Sequence, residues 1–443
     1  MSKQIGTIIF FTFLAISGQA QQKLSYPEVD KKSYELFLEK NWDELIRLSK
    51  ESVGQGINFF YLQARTGIAY YNLKKYRTAA KWFLMAWEND KSFEWLQEYL
   101  YYSLLLGGRA GEAEKITENF SRSLRQKIKI NDKKITRLAL EGGLCFNPEF
   151  NSVKEEPHGQ QAGVGENYGE AFYLKNYHFE TLDLSHNIAP GLNLNHSLTY
   201  IGLNREEHVD WGQPGSFPIK INQFQYLINP GFVLAEKIYL SPSATIIWGN
   251  SDLYLGGLTN NAGRFFYNSP YNYSDYIFSA PVWSHFGNFS PGGEINIANI
   301  NNESVLQLSG WLTLYPFSNL NFYITPRIYL KNGEDNRLGY NALGISGGIQ
   351  LGPVHLYGQY LNGEMTNFIE SAGYVVSNFP GVSKQKFSGS LYLPTGKKYQ
   401  LVFRYITQDI TEKYQVYTNL VKSNSINYKY IKHTLTAGIS WNF

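Results

Sequence analysis

From Ile431 to Phe443 the chain alternates almost without fault. Ile431, His433, Leu435, Ala437, Ile439, Trp441 and Phe443 hold one set of positions; Lys432, Thr434, Thr436, Gly438, Ser440 and Asn442 hold the other. Successive side chains of an extended backbone point to opposite faces, so this is a strand with one apolar and one polar face. The same period returns further upstream. Leu192, Leu194, Leu198 and Tyr200 oppose Asn193, Asn195, Ser197 and Thr199. Phe224, Tyr226, Ile228 and Phe232 oppose Gln223, Gln225 and Asn229, and Phe322, Ile324, Ile328 and Leu330 oppose Asn321, Thr325 and Arg327.

A water-soluble sandwich also alternates, so the connections decide between the two. Asn187–Gly191, Ala235–Lys237, Tyr315–Asn319, Gly352-Pro353 and Pro394–Lys398 read as tight turns. Between them, Asn147–Glu166, Arg205–Pro218, Gly249–Tyr273, Glu364–Ser383 and Gln408–Ile426 read as long polar loops. Short turns on one rim and long loops on the other are the anatomy of a transmembrane β-barrel, whose closure removes the edges that lipid forbids. Aromatic residues make up 16% of the chain, with 34 Tyr and 28 Phe. The mean hydropathy is nevertheless only −0.32, as aromatic girdles around a polar lumen require. After the first twenty positions no apolar run is long enough for a membrane helix. The pattern predicts an antiparallel barrel over 131–443 of about 14 strands, within a range of about 12–16. In its least regular part it places strands at Ser274–Phe286 and up to Ile300, with a tight turn at Asn301–Glu303.

The front of the chain differs. Lys3, the apolar stretch Ile5–Ile16 and Gly18-Gln19-Ala20 read as a cleavable secretory signal over 1–20. The following 21–130 are helical, and a 34-residue period appears when positions are stacked: Trp42, Tyr76 and Ala110, then Leu45, Ala79 and Ala113. Gly67, Tyr70, Tyr76, Ala79, Phe83 and Ala86 fit the spacing of a tetratricopeptide repeat, with small residues where paired helices touch and rings between them. About three repeats and six helices are expected, with an irregular helical bundle as the alternative. Trp82, Trp87 and Trp95 belong either to the helical core or to a binding face. The fold class is therefore α + β multidomain, with helical repeats preceding a barrel. Between them, Arg122, Arg125, Lys127, Lys129, Lys133 and Lys134 form a basic connector suited to an anionic leaflet or to a solvated helix end.

Little of the chain points to catalysis. A net charge of +3 gives no reason to expect nucleic acid. The lone Cys145 excludes an internal disulfide, and no histidine pair has metal-ligand spacing, so neither cofactor nor metal is expected. Ser185-His186 and Ser284-His285 are adjacent on strands and point apart, so neither forms a nucleophile–base unit. Arg137, Glu141, Arg327, Tyr329, Gln359 and Arg404 fall on the lumenal parity, as a structural network or a selectivity ring. Tyr267, Tyr271, Tyr273 and Tyr276, interleaved with Asn260, Asn261, Asn268 and Asn272, suit either stacking on a glycan or an interfacial girdle.

Signal, helical repeats, barrel and the Trp441–Phe443 ending together resemble the repeat-containing outer-membrane proteins of Bacteroidetes-type, Gram-negative bacteria. In layout they also resemble exopolysaccharide export porins. The resemblance implies an outer-membrane location with the helices in the periplasm. It implies contact with outer-membrane lipid, with the barrel-assembly machinery and with a periplasmic protein docked on the repeats. The leading expectation is a non-enzymatic barrel whose helical domain docks a partner for transport or assembly of an envelope component. A porin or export channel for a glycan or small solute is the alternative, and an outer-membrane lipid-modifying enzyme stands behind both. Ile439, Trp441 and Phe443 are the expected assembly signal. Deleting Phe443 should therefore deplete the heat-modifiable, folded form from outer-membrane fractions. An unchanged gel shift on boiling would refute that role.

Overall fold

The computed structural model describes residues 24–130, 133–155, 168–211, 214–235, 237–259, 264–333, 337–379, 381–418 and 421–443. The expected signal over 1–20, Asn260, Asn261 and residues 156–166 of the expected loop Asn147–Glu166 lie outside these residues.

The chain packs as two compact units that divide between Leu100 and Tyr101. Helices come first: α1 (Tyr26–Leu38), α2 (Trp42–Gly54), α3 (Phe60–Asn72), α4 (Tyr76–Asn89), α5 (Glu94–Leu106), α6 (Ala110–Ile116) and α7 (Arg122–Ile128). Tyr26, Phe60 and Glu94 start α1, α3 and α5 at intervals of 34, as Trp42, Tyr76 and Ala110 start α2, α4 and α6. The turns repeat too, with Lys40, Lys74 and Gly108 all in the left-handed region at φ 56°, 57° and 78°. Ser25 opens the series by bonding Glu28 through its hydroxyl (2.6 Å) and its N–H (3.2 Å), which fixes the first turn of α1.

Within the first unit the small residues sit where helices meet. A Cβ at Gly67 would collide with the Phe83 ring, and Ala79, Phe83 and Ala86 are fully buried. Phe83 also stacks on Tyr99 at 5.5 Å, Tyr70 is buried, and Tyr76 meets Tyr71 at 5.3 Å. Trp82 is buried, whereas Trp95 is 37% exposed. Truncating Phe83 to Ala should cost about 3–5 kcal/mol through lost burial and a cavity. The far-ultraviolet helical signal of the full chain should then melt at a lower temperature while the strand signal persists.

The second unit is a closed antiparallel barrel of fourteen strands. They are β1 (Ile135–Phe146), β2 (Tyr168–Ala189), β3 (Leu192–Asp210), β4 (Pro214–Ala235), β5 (Ile238–Leu240 continuing as Ser243–Ser251), β6 (Tyr271–Ser284) and β7 (Phe289–Ile300). Next come β8 (Glu303–Leu314), β9 (Phe322–Asn332), β10 (Leu338–Leu351), β11 (Val354–Gly363), β12 (Gln385–Thr395), β13 (Tyr399–Thr418) and β14 (Val421–Asn442). Both segments of β5 pair with β4 and β6, so they act as one strand interrupted at Ser241-Pro242. Asn229 bridges the interruption by donating to the carbonyls of Ser241 and Pro242, both at 2.9 Å. β14 closes the ring on β1, with Leu140 opposite Ile439 and Leu138 opposite Trp441. Trp441 stacks on Phe443 at 4.3 Å, and the Phe443 N–H bonds the Thr136 carbonyl at 3.0 Å.

The outward face carries Leu140, Leu144, Leu182, Phe278, Ile297, Leu343 and Leu435, each more than 40% exposed. A continuous apolar band of this kind belongs in hydrocarbon, not in water. Among the described residues no helix is long and apolar enough to cross a membrane, so the crossing is made by strands. Cys145 alternates with this band and is buried.

Two segments expected as long loops are strands. β3 continues to Asp210 with β4 returning from Pro214, and β13 reaches Thr418 with β14 beginning at Val421. Their tips stand beyond the apolar band, so their side chains lose the apolar alternation while the backbone ladder continues. At this far rim β13 also pairs with β2, Gln415 with Glu170 and Tyr417 with Tyr168.

The rim that carries both ends of the barrel is covered by the last helices. Helix α6 buries Glu112, Ala113 and Ile116. Gly111 abuts Val233 and Tyr239, while Gly108 abuts Leu320 from the β8–β9 connection. Arg109 pairs with Glu112, which also accepts the Tyr239 hydroxyl at 3.1 Å. Burial raises the Glu114 carboxyl above its ordinary range, opposed by the Gly191 N–H that it accepts.

Candidate functional site

The connection between β11 and β12 folds inward. Its neck is pinched by Gly363 N–H to the Lys384 carbonyl (2.9 Å) and Met365 N–H to the Ser383 carbonyl (2.8 Å). Beyond the neck, Phe368–Glu370 and Val375–Ser377 form a small hairpin. Phe368 and Ile369 are fully buried, and Asn367, Glu370 and Asn378 nearly so. Ser371, Ala372 and Gly373 are all left-handed, at φ 52°, 56° and 82°. Two non-glycine residues rarely adopt that conformation in succession, and the wall holds them there. Ser243 and Thr245 of β5 donate to the carbonyls of Ala372 (2.6 Å) and Gly373 (2.9 Å). Gln307 of β8 bonds both the carbonyl and the N–H of Ile369, at 2.6 and 3.2 Å. The segment is thus a constriction fastened across the lumen.

Buried charge fixes it further. Lys386 of β12 donates to Glu370 at 2.6 Å, and Gln359 of β11 donates to the other carboxylate oxygen at 3.3 Å. The expected lumenal residues fall around this segment. Tyr329 packs on Phe368 at 4.8 Å between centroids. Arg327 lies over the Trp311 ring (4.2 Å) and 4.0 Å from Glu294. With Gln359 and Glu370 these two line a cavity of about 80 Å³. Arg404 donates to Glu141 at 2.9 Å, and both line a second cavity of about 180 Å³. Arg137 stands apart, 3.8 Å from Asp183.

At the far mouth a third cavity of about 730 Å³ is lined by Phe172, Arg205, Gln223, Tyr271, Tyr273, Asp275, Asn378 and Phe379. Phe379 lines the 180 Å³ cavity as well, so the inward loop is the partition between the two. Arg205 donates to Glu412 at 2.5 Å, and Glu412 also accepts the hydroxyls of Tyr428 (3.0 Å) and Tyr430 (2.8 Å). Of the four loop tyrosines singled out in the sequence, Tyr271 and Tyr273 line this mouth. Tyr276 faces outward beside Phe278 at 5.9 Å, and Tyr267 is half exposed on the hairpin Tyr254–Leu258/Arg264–Asn268.

Glu370 and Asn378 escaped the sequence reading because 364–383 reads as an outer polar loop, and Lys386 and Asp275 escaped it because their partners lie on that loop. The adjacent apolar Phe368 and Ile369 were the available signal that it turns inward. His285 bonds Ser290 at 2.6 Å across the β6–β7 turn, while Ser284 donates to the Lys237 carbonyl. Among the described residues no group of three His, Cys, Asp or Glu side chains is placed to hold a metal ion.

No family model matches the chain, and no curated protein matches it. Solved structures do. The Pseudomonas putida toluene transporter TodX is 8% identical, with 71% of this chain and 91% of that chain covered and a TM-score of 0.47. A Pseudomonas aeruginosa FadL homologue is 10% identical over 70% and 91%, at 0.43. The translocator domain of the autotransporter NalP from Neisseria meningitidis is 7% identical over 77% and 99%, at 0.31.

Removing one partner of a buried ion pair strands the other charge, at a cost of about 3–5 kcal/mol. Glu370→Ala should therefore free the hairpin. Amide hydrogen exchange over 366–379 should accelerate strongly while the strand ladders stay protected.

Proposed function

We propose that this protein is an outer-membrane channel for a small solute, closed in this conformation by the loop between β11 and β12. The observation that carries the reading is the partition itself. One buried segment, shared through Phe379, separates a mouth cavity from an inner cavity within a closed wall. A barrel serving only as a membrane anchor needs no large polar-lined cavity at its mouth. The inner cavity, with Arg404 and Glu141 paired across it, supplies polar lining for a solute that has passed the constriction. On this reading the barrel ends and the helices lie on the periplasmic side, and α6 with the β8–β9 connection covers the exit.

Replacing 367–381 by a short Gly-Ser bridge across the pinched neck should raise single-channel conductance in planar bilayers at least several-fold. Arg404→Ala in that background should alter its ion selectivity. Equal, negligible conductance from the parent and the bridged protein would overturn the channel.

A second reading has its own observation. The first unit exposes Tyr26 (54%), Tyr61 (51%) and Trp95 (37%); Tyr26 packs on Phe59 at 4.5 Å, while Tyr61 and Trp95 belong to one ring cluster with Phe60 and Phe93 at 5.0–6.2 Å. These rings recur at the starts of α1, α3 and α5, as a tetratricopeptide array would present a docking edge for a periplasmic protein. Tyr61→Glu should abolish a crosslink formed at this edge in intact cells. A crosslink unchanged by the substitution would place the partner elsewhere.

A further inference from the structure

The inner cavity carries one more positive charge than its wall balances. Among the described residues that line it, Lys386, Arg404 and Lys432 are basic and Glu141 is acidic. Arg404 is matched by Glu141 at 2.9 Å, and Lys386 by Glu370 of the inward loop at 2.6 Å. Lys432 has no such match. It makes no hydrogen bond or ion pair among the described residues, and its Nζ lies 5.6 Å from the centre of the Tyr177 ring.

The strand explains why this ammonium faces the cavity. β14 turns Tyr430, Lys432 and Thr434 inward, alternating with Ile431, His433 and Leu435 on the lipid side. The Tyr177 ring beneath the Nζ lines the same cavity as Lys432. The lysine is only partly buried, and its nitrogen keeps accessible surface. Gln408 of β13 is its direct cross-strand partner, and Lys386 of β12 is opposite Gln408 on the other side. Three strands thus set Lys386, Gln408 and Lys432 in one inward row. The Gln408 amide also makes no hydrogen bond among the described residues and keeps accessible surface. Residues directly opposite hold their Cβ atoms about 5 Å apart, so one small group reaches both heads.

Charge and size then narrow the ligand. A cation would meet two ammonium groups and be repelled. A hydrocarbon would leave Lys432 without a counter-charge, and a dianion would overshoot an excess of one. A monocarboxylate brings a single negative charge and two acceptor oxygens, one for the Lys432 ammonium and one for the Gln408 NH2. Phe179, Val376, Phe379, Ile406 and Ile410 make much of the remaining lining apolar. An apolar cavity of about 150 Å³ takes up benzene, so about 180 Å³ holds one ring beside its carboxylate.

We infer that the inner cavity binds a small organic monocarboxylate of single-ring size, its carboxylate held by Lys432 and Gln408. The inference rests on the channel reading for how such an acid comes to the cavity, whereas binding itself requires no conduction.

The full chain in a nonionic detergent at neutral pH should bind benzoate saturably in titration calorimetry. Lys432→Met keeps the stem and removes the charge, and should weaken binding about tenfold or more. Lys432→Arg restores the charge and should recover most of the affinity. Gln408→Leu reads the second donor on its own and should weaken binding several-fold. All three variants should keep the heat-modifiable gel shift of the parent. No saturable benzoate binding would overturn the assignment, as would equal affinity in the parent and Lys432→Met. Toluene bound as tightly as benzoate would also overturn it, because the carboxylate would then be irrelevant. Phosphate or chloride bound without benzoate would do so too, replacing the organic acid by an inorganic anion. These results are separate from the bilayer measurement. Benzoate binding with a non-conducting bridged protein would leave the site and remove the channel. A conducting bridged protein whose parent binds no benzoate would do the reverse.

Discussion

Everything in the barrel depends on one requirement: inside a bilayer each backbone N–H and C=O must find its partner within the protein. A sheet meets that requirement only when its last strand bonds its first. Here the final strand lies along β1 for ten consecutive residue pairs, Arg137–Asn442 to Phe146–His433. The chain end is thus part of the closure. Where the ladder falters, at Ser241-Pro242, the Asn229 side chain supplies the missing donors. Outward apolar side chains and inward polar ones follow from the same closure, since a strand that cannot slip keeps one parity from rim to rim.

Closing the wall creates an interior that must then be filled or wetted. In this chain one connection fills it. Its contacts reach β5, β8, β11 and β12, so the segment is fixed by many modest bonds and by the Lys386–Glu370 pair. Such fastening is specific in position yet built of individually small terms, typically about 1 kcal/mol per hydrogen bond. A few exchanged bonds suffice to move a loop of this kind. The left-handed run at Ser371–Gly373 adds conformational cost to the closed arrangement and so brings the alternatives nearer in energy.

What the sequence revealed and what it hid follow the same physics. Lipid enforces the outward face, so Leu435, Ile439 and Trp441 announce their strand, as does the turn Asn301-Asn302 between β7 and β8. The helical period was equally readable, because Gly67 and Phe83 answer each other's volume within one helix pair. Two features were hidden. The tips of β3, β4, β13 and β14 still bury one face, but that face mixes Arg205, Glu207 and Glu412 with Val209, Ile410 and Tyr414, so the burial alternates while the apolar pattern does not. The inward loop reads as a polar surface segment because its partners, Thr245 and Gln307, lie more than sixty residues away in sequence. Parity alone could name Arg327 and Arg404 as inward-facing, yet it could not tell that Glu370 would come to line one cavity with Arg327.

The extra pairing of β13 with β2 at the far rim has a consequence for anything approaching from outside. Tyr168 stacks on Tyr417 at 4.4 Å with nearly parallel rings, tying together two tall strands that the wall below keeps apart. A lip laced in this way cannot splay. The width of the opening at this rim is therefore set by the two joined strands and not by the loops above them.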